Sequence, residues 1–173
     1  DAKTFVVGFV GRNHKQKNFS FLVDGFNGFN FNNRSVLFGI GANLAEHKRS
    51  VVGESIFVDF SSNMHEMYNI FDILCLPSKI EGFPNVLIEA MATNIPCIAT
   101  DVSENSSILS GTGWLIDVDD LSQLVNSMNS AYLEFADGFD NKSRKDVCNL
   151  IQTRFDLSSI VEQYDQLILN SYN

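Results

Sequence analysis

Two glutamates frame the segment with the clearest chemical content, Glu81-Gly-Phe-Pro-Asn-Val-Leu-Ile-Glu89. Glu81 falls in the polar loop SKIEGFP, just after the apolar run Asp72–Pro77. Glu89 falls roughly one turn into the helical stretch Asn85–Thr93. Pro84 pushes Phe83 out of helical conformation and so marks the turn between them. Gly82 lets the backbone approach a ligand closely. A helix starting at Asn85 presents free backbone N–H groups and the positive end of its dipole, which together favour a phosphate. Carboxylates beside such a site suit sugar hydroxyls, because an ionised carboxylate only accepts hydrogen bonds. Without a ligand, the same residues also make a plain loop-to-helix junction with a solvated Glu89.

A second signal lies in the loop GRNHKQKN, which opens at Gly11. Arg12 offers a planar fork to a phosphate and Lys17 a point charge. A charge-assisted contact of this kind contributes roughly 1.5–3 kcal/mol. Alone, basic loop residues are usually just solvated, so the pair gains its meaning from the acidic segment. His14, His47 and His65 are scattered and read as structural or solvated, although His14 shares the basic loop. No metal ligands cluster, so no metal is expected. Glu81 and Glu89 suggest the acid/base pair of a hydrolase, but their placement aims them at different parts of a ligand.

The elements that must position these residues follow from periodicity. Thr4–Val10, Ser35–Ile40, Ser55–Phe60, Asp72–Pro77, Pro96–Thr100 and Gly113–Ile116 read as strands, with Asp72–Pro77 central because it is apolar almost throughout. Phe19, Leu22, Val23 and Phe26 give an amphipathic helix. The Phe, Asn and Gly alternation over Asn27–Asn33 reads as a loop with aromatic pegs. Asn43–Ser50 reads as a short polar helix, and Ser62 or Asn63 as the cap of a helix through Ile70. Leu121, Leu124, Val125 and Met128 share one helical face. Asn141–Thr153 and Leu157–Ser171 are also helical in pattern.

Strands alternating with helices predict an α/β, Rossmann-like three-layer sandwich with a parallel sheet of about six strands. Ligands of such sheets bind beyond the carboxyl ends of the strands. The loops Gly11–Asn18, Gly41–Asn43, Ser61–Asn63, Ser78–Pro84 and Asp101–Ser107 are therefore the ones to inspect.

The 173 residues, 45% hydrophobic and 19% charged, suit one domain over 1–173 with a sizeable core. A net charge of −9 argues against a nucleic-acid partner, which needs a basic face. It gives no attraction to an anionic membrane, and no apolar run approaches spanning length. Cys75, Cys97 and Cys148 form no disulfide or zinc pattern, and the first two sit in apolar runs as buried thiols. That suits a reducing, cytoplasmic setting.

The stretch EGFPNVLIEAMATNIPCIATDV resembles the signature of retaining glycosyltransferases of family 4, which have the GT-B fold. GR followed by Lys17, GIGANL, VDF, DILCLPS and TGWLIDVDD fall in the same family order. The resemblance covers nearly the whole chain. It implies the C-terminal half of a GT-B fold that takes a nucleotide-sugar donor, most commonly a UDP-sugar, without metal or other cofactor. By that resemblance Arg12 and Lys17 bind the donor's diphosphate, and Glu81 contacts the transferred sugar. Amides of Gly82, Phe83, Pro84, Asn85 and Val86 line sugar and phosphate, Glu89 holds the ribose hydroxyls, and Gly11 opens the phosphate loop. The base rests near Val58–Phe60. The implied partner is an N-terminal acceptor-binding domain, reached by a last helix over about 155–171, and membrane contact comes only through that half. The setting implied is bacterial surface polysaccharide or lipopolysaccharide synthesis. Ser103 and Ser107 stand where the family often has Gly and Glu, and Asn94 and Asn18 where Gly is common.

Other classes compete. GIGANL followed by Asp59 about twenty residues on resembles a dinucleotide fingerprint, but Leu44 takes the third glycine's place. A nucleotide-sugar epimerase or phosphorylase of the same fold, and a nucleotide-binding module without catalysis, are the remaining alternatives.

Overall fold

The structure, a computed structural model, describes residues 4–29, 35–138, 141–156, 158, 160–162 and 165–166. Six strands form one parallel sheet: β1 Phe5–Val10, β2 Ser35–Ile40, β3 Glu54–Val58, β4 Ile73–Leu76, β5 Cys97–Thr100 and β6 Trp114–Ile116, in the order β3-β2-β1-β4-β5-β6. The helices are α1 Phe19–Gly28, α2 Met64–Tyr68, α3 Asn85–Ala92, α4 Asn105–Leu109, α5 Leu121–Ala136 and α6 Asn141–Phe155, with a 3-10 helix over Leu44–Ser50.

Strand alternation explains the layers. In β1, Phe5, Val7 and Phe9 enter a core with α1 and α5, where Phe26, Leu124 and Met128 are buried. Val6 and Val10 face the opposite core, built from Tyr68, Phe71, Leu87, Met91, Ile108 and Ile151. Ile73 and Cys75 of β4 point to the first core, Leu74 and Leu76 to the second. With both faces covered, a strand is apolar at every position, as the central strand is. Each fully buried large side chain contributes roughly 1.5–3 kcal/mol. Gly8 is where β1 must lack a side chain, because a Cβ there would stand 2.3 Å from the Phe71 ring.

Several boundaries differ from the sequence expectations. The expected loop over Asn27–Asn33 begins as helix, since α1 runs to Gly28 and Phe29 is buried against Phe5 at 5.8 Å between ring centroids. The rest of that stretch lies outside the described residues. The third strand stops at Val58, which leaves Phe60 in the loop beyond it. The expected polar helix over Asn43–Ser50 is a 3-10 helix, anchored by buried Leu44. α2 is shorter than expected, although Asn63 does cap it, with Oδ1 accepting from the Glu66 amide at 3.4 Å. The expected loop Asp101–Ser107 contains the start of α4, which buries Ile108 and Leu109. The helix expected over about 155–171 lies mostly outside the described residues.

Candidate functional site

The strand order reverses between β1 and β4, so the loops leaving these two neighbours diverge and open a crevice at the carboxyl edge. The loop after β1 is pinned from below. Gly11 donates its amide to Ile40 O at 2.9 Å, and Asn13 to Ala42 O at 3.0 Å. Gly41 passes so close that a Cβ there would lie 1.9 Å from Gly11 O. From the other side, Lys79 donates its amide to Gln16 O at 2.8 Å.

Across the crevice, Lys17 Nζ donates to Glu81 Oε1 at 2.7 Å. The Glu81 side chain is only 7% exposed, and Lys17 is the cation paired with it. The Ser103 hydroxyl donates to the Glu81 carbonyl, tying the loop after β5 to the same residue. Arg12 is exposed, and its side chain has no hydrogen-bond or ion-pair partner among the described residues.

A second polar group lies beside the first. Asp119, in the loop after β6, accepts from Asn18 Nδ2 at 2.9 Å and from Lys79 Nζ at 2.5 Å. These two donors, Lys79 first, hold the Asp119 carboxyl below the usual carboxylate range. Asn18 precedes α1 in left-handed conformation at φ 54°. The loops after β1, β4 and β6 are thereby joined through three side-chain contacts, Lys17 to Glu81, Asn18 to Asp119 and Lys79 to Asp119, and Ser103 adds the loop after β5.

α3 starts at Asn85 behind Pro84. Of the amides expected to line a ligand, Asn85's already donates to Phe83 O at 3.0 Å, and Pro84 has none. Those of Gly82, Phe83 and Val86 have no backbone acceptor among the described residues. Glu89, exposed and one turn in, accepts from Tyr68 Oη at 2.7 Å. Glu81 and Glu89 thus have separate partners, Lys17 in the loop after β1 and Tyr68 at the end of α2. Phe60 is 79% exposed and Phe83 53%.

Sequence reasoning passed over Tyr68, Lys79, Ser103's bond and Asp119. A tyrosine on one element and its acceptor on another leave no local spacing to read. His14 is exposed and accepts from the Gln16 amide at 3.3 Å, while His47 Nε2 lies 3.2 Å from Asn13 Oδ1. Cys75 and Cys97 are buried thiols outside any disulfide, as expected, and burial pushes the Cys75 thiol up. In GIGANL, Leu44 is fully buried and Gly41 is taken up by the approach to Gly11, so the segment supports the turn at Gly11. Among the described residues, no three His, Cys, Asp or Glu side chains group as metal ligands, and no helix is long and apolar enough to cross a membrane.

Residues 4–133 match the family model described as glycosyl transferases group 1. The chain is 32% identical over 110 residues to a putative glycosyltransferase, EpsF, of Bacillus subtilis, covering 58% of this chain and 28% of that one. It is 34% identical over 84 residues to the lipopolysaccharide core biosynthesis mannosyltransferase LpsB of Rhizobium meliloti, covering 46% and 24%. Among solved structures, Anabaena Alr3699/HepE in complex with UDP superposes with a TM-score of 0.84 at 19% identity, over 98% of this chain and 50% of that one. The chain spans less than two thirds of the length of each of these proteins.

Proposed function

The chain belongs to the glycosyl transferases group 1 family, and on that footing we propose that it is the donor-binding half of a glycosyltransferase. The reaction is transfer of a sugar from a nucleoside diphosphate to an acceptor hydroxyl, with the anomeric configuration retained. The donor is a UDP-sugar and the setting bacterial surface polysaccharide synthesis. The solved Anabaena relative holds UDP, and the Rhizobium relative acts in lipopolysaccharide core biosynthesis. An acceptor-binding domain completes the cleft, as the chain's coverage of about half of the Anabaena structure suggests.

The observation that carries this reading is the Lys17–Glu81 pair spanning the switch point, with Arg12 on the same loop and α3 starting four residues beyond Glu81. Cleaving the bond between the sugar's anomeric carbon and the diphosphate leaves an electron pair, and negative charge, on the diphosphate. Lys17, held by Glu81, and the Val86 end of α3 are positioned donors for that charge, which limits the reorganisation needed as it develops, and the exposed Arg12 adds a second cation from the same loop. Glu81 accepts from hydroxyls of the transferred sugar, Glu89 from those of the ribose, and the base lies over the loop at Phe60. No step in this scheme calls for a metal, because the two cations and the helix end supply the positive charge.

The test is titration of the chain with UDP, GDP and ADP, without metal, repeated with Arg12→Ala and Glu89→Ala. One diphosphate binds best, and both substitutions weaken it by about tenfold or more. Binding unaffected by either substitution would place the nucleotide elsewhere and defeat the assignment.

A further inference from the structure

We propose that Tyr68 is a positioning residue that sets the Glu89 carboxylate and thereby determines selectivity for a ribose diol; this rests on the donor-site reading of Glu89. Tyr68 Oη donates to Glu89 Oε2 at 2.7 Å. An O–H to carboxylate bond of that length is charge-assisted and among the stronger kinds. The tyrosine is 1% exposed, and its ring meets Phe71 edge-on at 6.1 Å. It closes α2, so the ring is held by the core while only its hydroxyl reaches the exposed carboxylate.

The consequence is conformational. The terminal torsion of a glutamate is broad and nearly two-fold, so an exposed carboxylate samples many orientations. Anchoring Oε2 to a core-fixed hydroxyl removes that freedom before any ligand arrives. It leaves Oε1 and the remaining lone pair of Oε2 as a preset acceptor pair, which matches two neighbouring hydroxyls on a sugar ring. Prepaid ordering of this kind appears in binding as affinity for the group that uses it. Burial, and after it the bond to Glu89, raise the Tyr68 hydroxyl well above its ordinary value. It therefore remains a proton donor throughout the working range. α2 also follows the loop after β3, so the same short helix links the expected base position to the ribose position.

The experiment measures affinity by NMR titration for whichever of UDP, GDP and ADP binds tightest, and for its 2′,3′-dideoxy analogue. It uses the wild-type chain, Tyr68→Phe, Glu89→Ala and the double variant. The same spectra report whether each variant is folded. Tyr68→Phe is expected to weaken the ribonucleotide by about five- to tenfold while leaving the dideoxy analogue unchanged, so that the ratio between them falls. Glu89→Ala is expected to bring the ratio close to one, and the double variant to match it. Equal losses for both nucleotides in Tyr68→Phe, or an unchanged ratio there while Glu89→Ala abolishes it, would overturn the role of Tyr68. A ratio that survives Glu89→Ala, or a wild-type chain that binds none of the three diphosphates, would instead defeat the donor-site reading and this inference with it.

Discussion

Lys17 and Glu81 occupy each other: Nζ sits 2.7 Å from Oε1 across the boundary between β1 and β4, and the carboxylate is 7% exposed. Any phosphate that comes to Lys17 must share it with this carboxylate. Glu81→Gln removes the competing charge and the repulsion between carboxylate and diphosphate. Two charges a few ångströms apart near a protein surface interact by a few kcal/mol. UDP is therefore expected to bind Glu81→Gln about tenfold more tightly. A UDP-sugar gains less, because it loses its hydroxyl acceptor. Calorimetry with both ligands checks this, and weaker UDP binding in the variant would contradict the competition.

The opposite substitution tests what the pair does for the fold. Lys17→Ala leaves the Glu81 carboxylate nearly buried with no cation at Oε1. A stranded buried charged group costs about 1–3 kcal/mol or more. A lowered Tm is expected for Lys17→Ala, with much of it recovered in Lys17→Ala/Glu81→Gln, where no charge is left unpaired. Additive losses in thermal melts would show that Lys17 acts on stability through something other than Glu81.

Two glycines at the crevice separate architecture from ligand contact. Gly41 has φ 151°, and its missing Cβ is replaced by the backbone carbonyl of Gly11 at 1.9 Å. Backbone cannot swing aside like a side-chain tip, so Gly41→Ala must push the Gly11–Arg12 turn away, at a cost of about 1–3 kcal/mol. Gly82 has nothing within 4 Å of a Cβ position. Gly82→Ala should leave Tm within about 1 °C of wild type, as a surface change does, yet weaken UDP binding several-fold if the ligand lies on that backbone. Melts and titrations on the two variants distinguish them, and unchanged binding in Gly82→Ala would take the loop out of the ligand's path.

Much of the frame was legible in the sequence because both faces of the sheet are covered, which makes a central strand such as Ile73–Leu76 apolar at every position. The expected positions of Glu81, Lys17 and the start of α3 follow from strand, loop and helix order alone. Departures from family pattern find a backbone reason. Asn18, Asn94 and Ser103, standing where glycine is common, have φ 54°, 67° and 50°. That is the left-handed region, which Asn tolerates better than most residues. Ser103 also uses its hydroxyl on the Glu81 carbonyl, something no glycine can do. Ser107, in the place of a family glutamate, accepts instead from Arg154 at its carbonyl, at 2.7 Å. What stayed hidden depends on three-dimensional packing. Phe29 extends α1 because it meets Phe5 and Phe26, although its Phe-Asn-Gly surroundings read as loop. Tyr68 and Asp119 carry partners 21 and 101 residues away, distances that no spacing rule spans.

Asp119 gives the site a pH dependence whose sign is fixed. Its carboxyl lies below the ordinary carboxylate value in the folded protein, through Lys79 first and Asn18 second. A group lowered on folding stabilises the fold fully above its unfolded value, near 4, and loses that contribution as pH falls through the folded value. The carboxylate is exposed, so the effect is that of a surface pair, roughly 1–3 °C in Tm. Asp119→Asn keeps an acceptor for Asn18 and removes the charge. Its Tm is expected to lie below wild type at pH 7, and the gap to close as both are melted at successively lower pH below about 4. Because Asn18 sits at the start of α1 directly after Lys17, the same variant is expected to weaken UDP binding two- to threefold at pH 7. A Tm gap that stays constant down to pH 2 would mean that the charge on Asp119 contributes nothing, and that the loop after β6 is held by the neutral Asn18 contact alone.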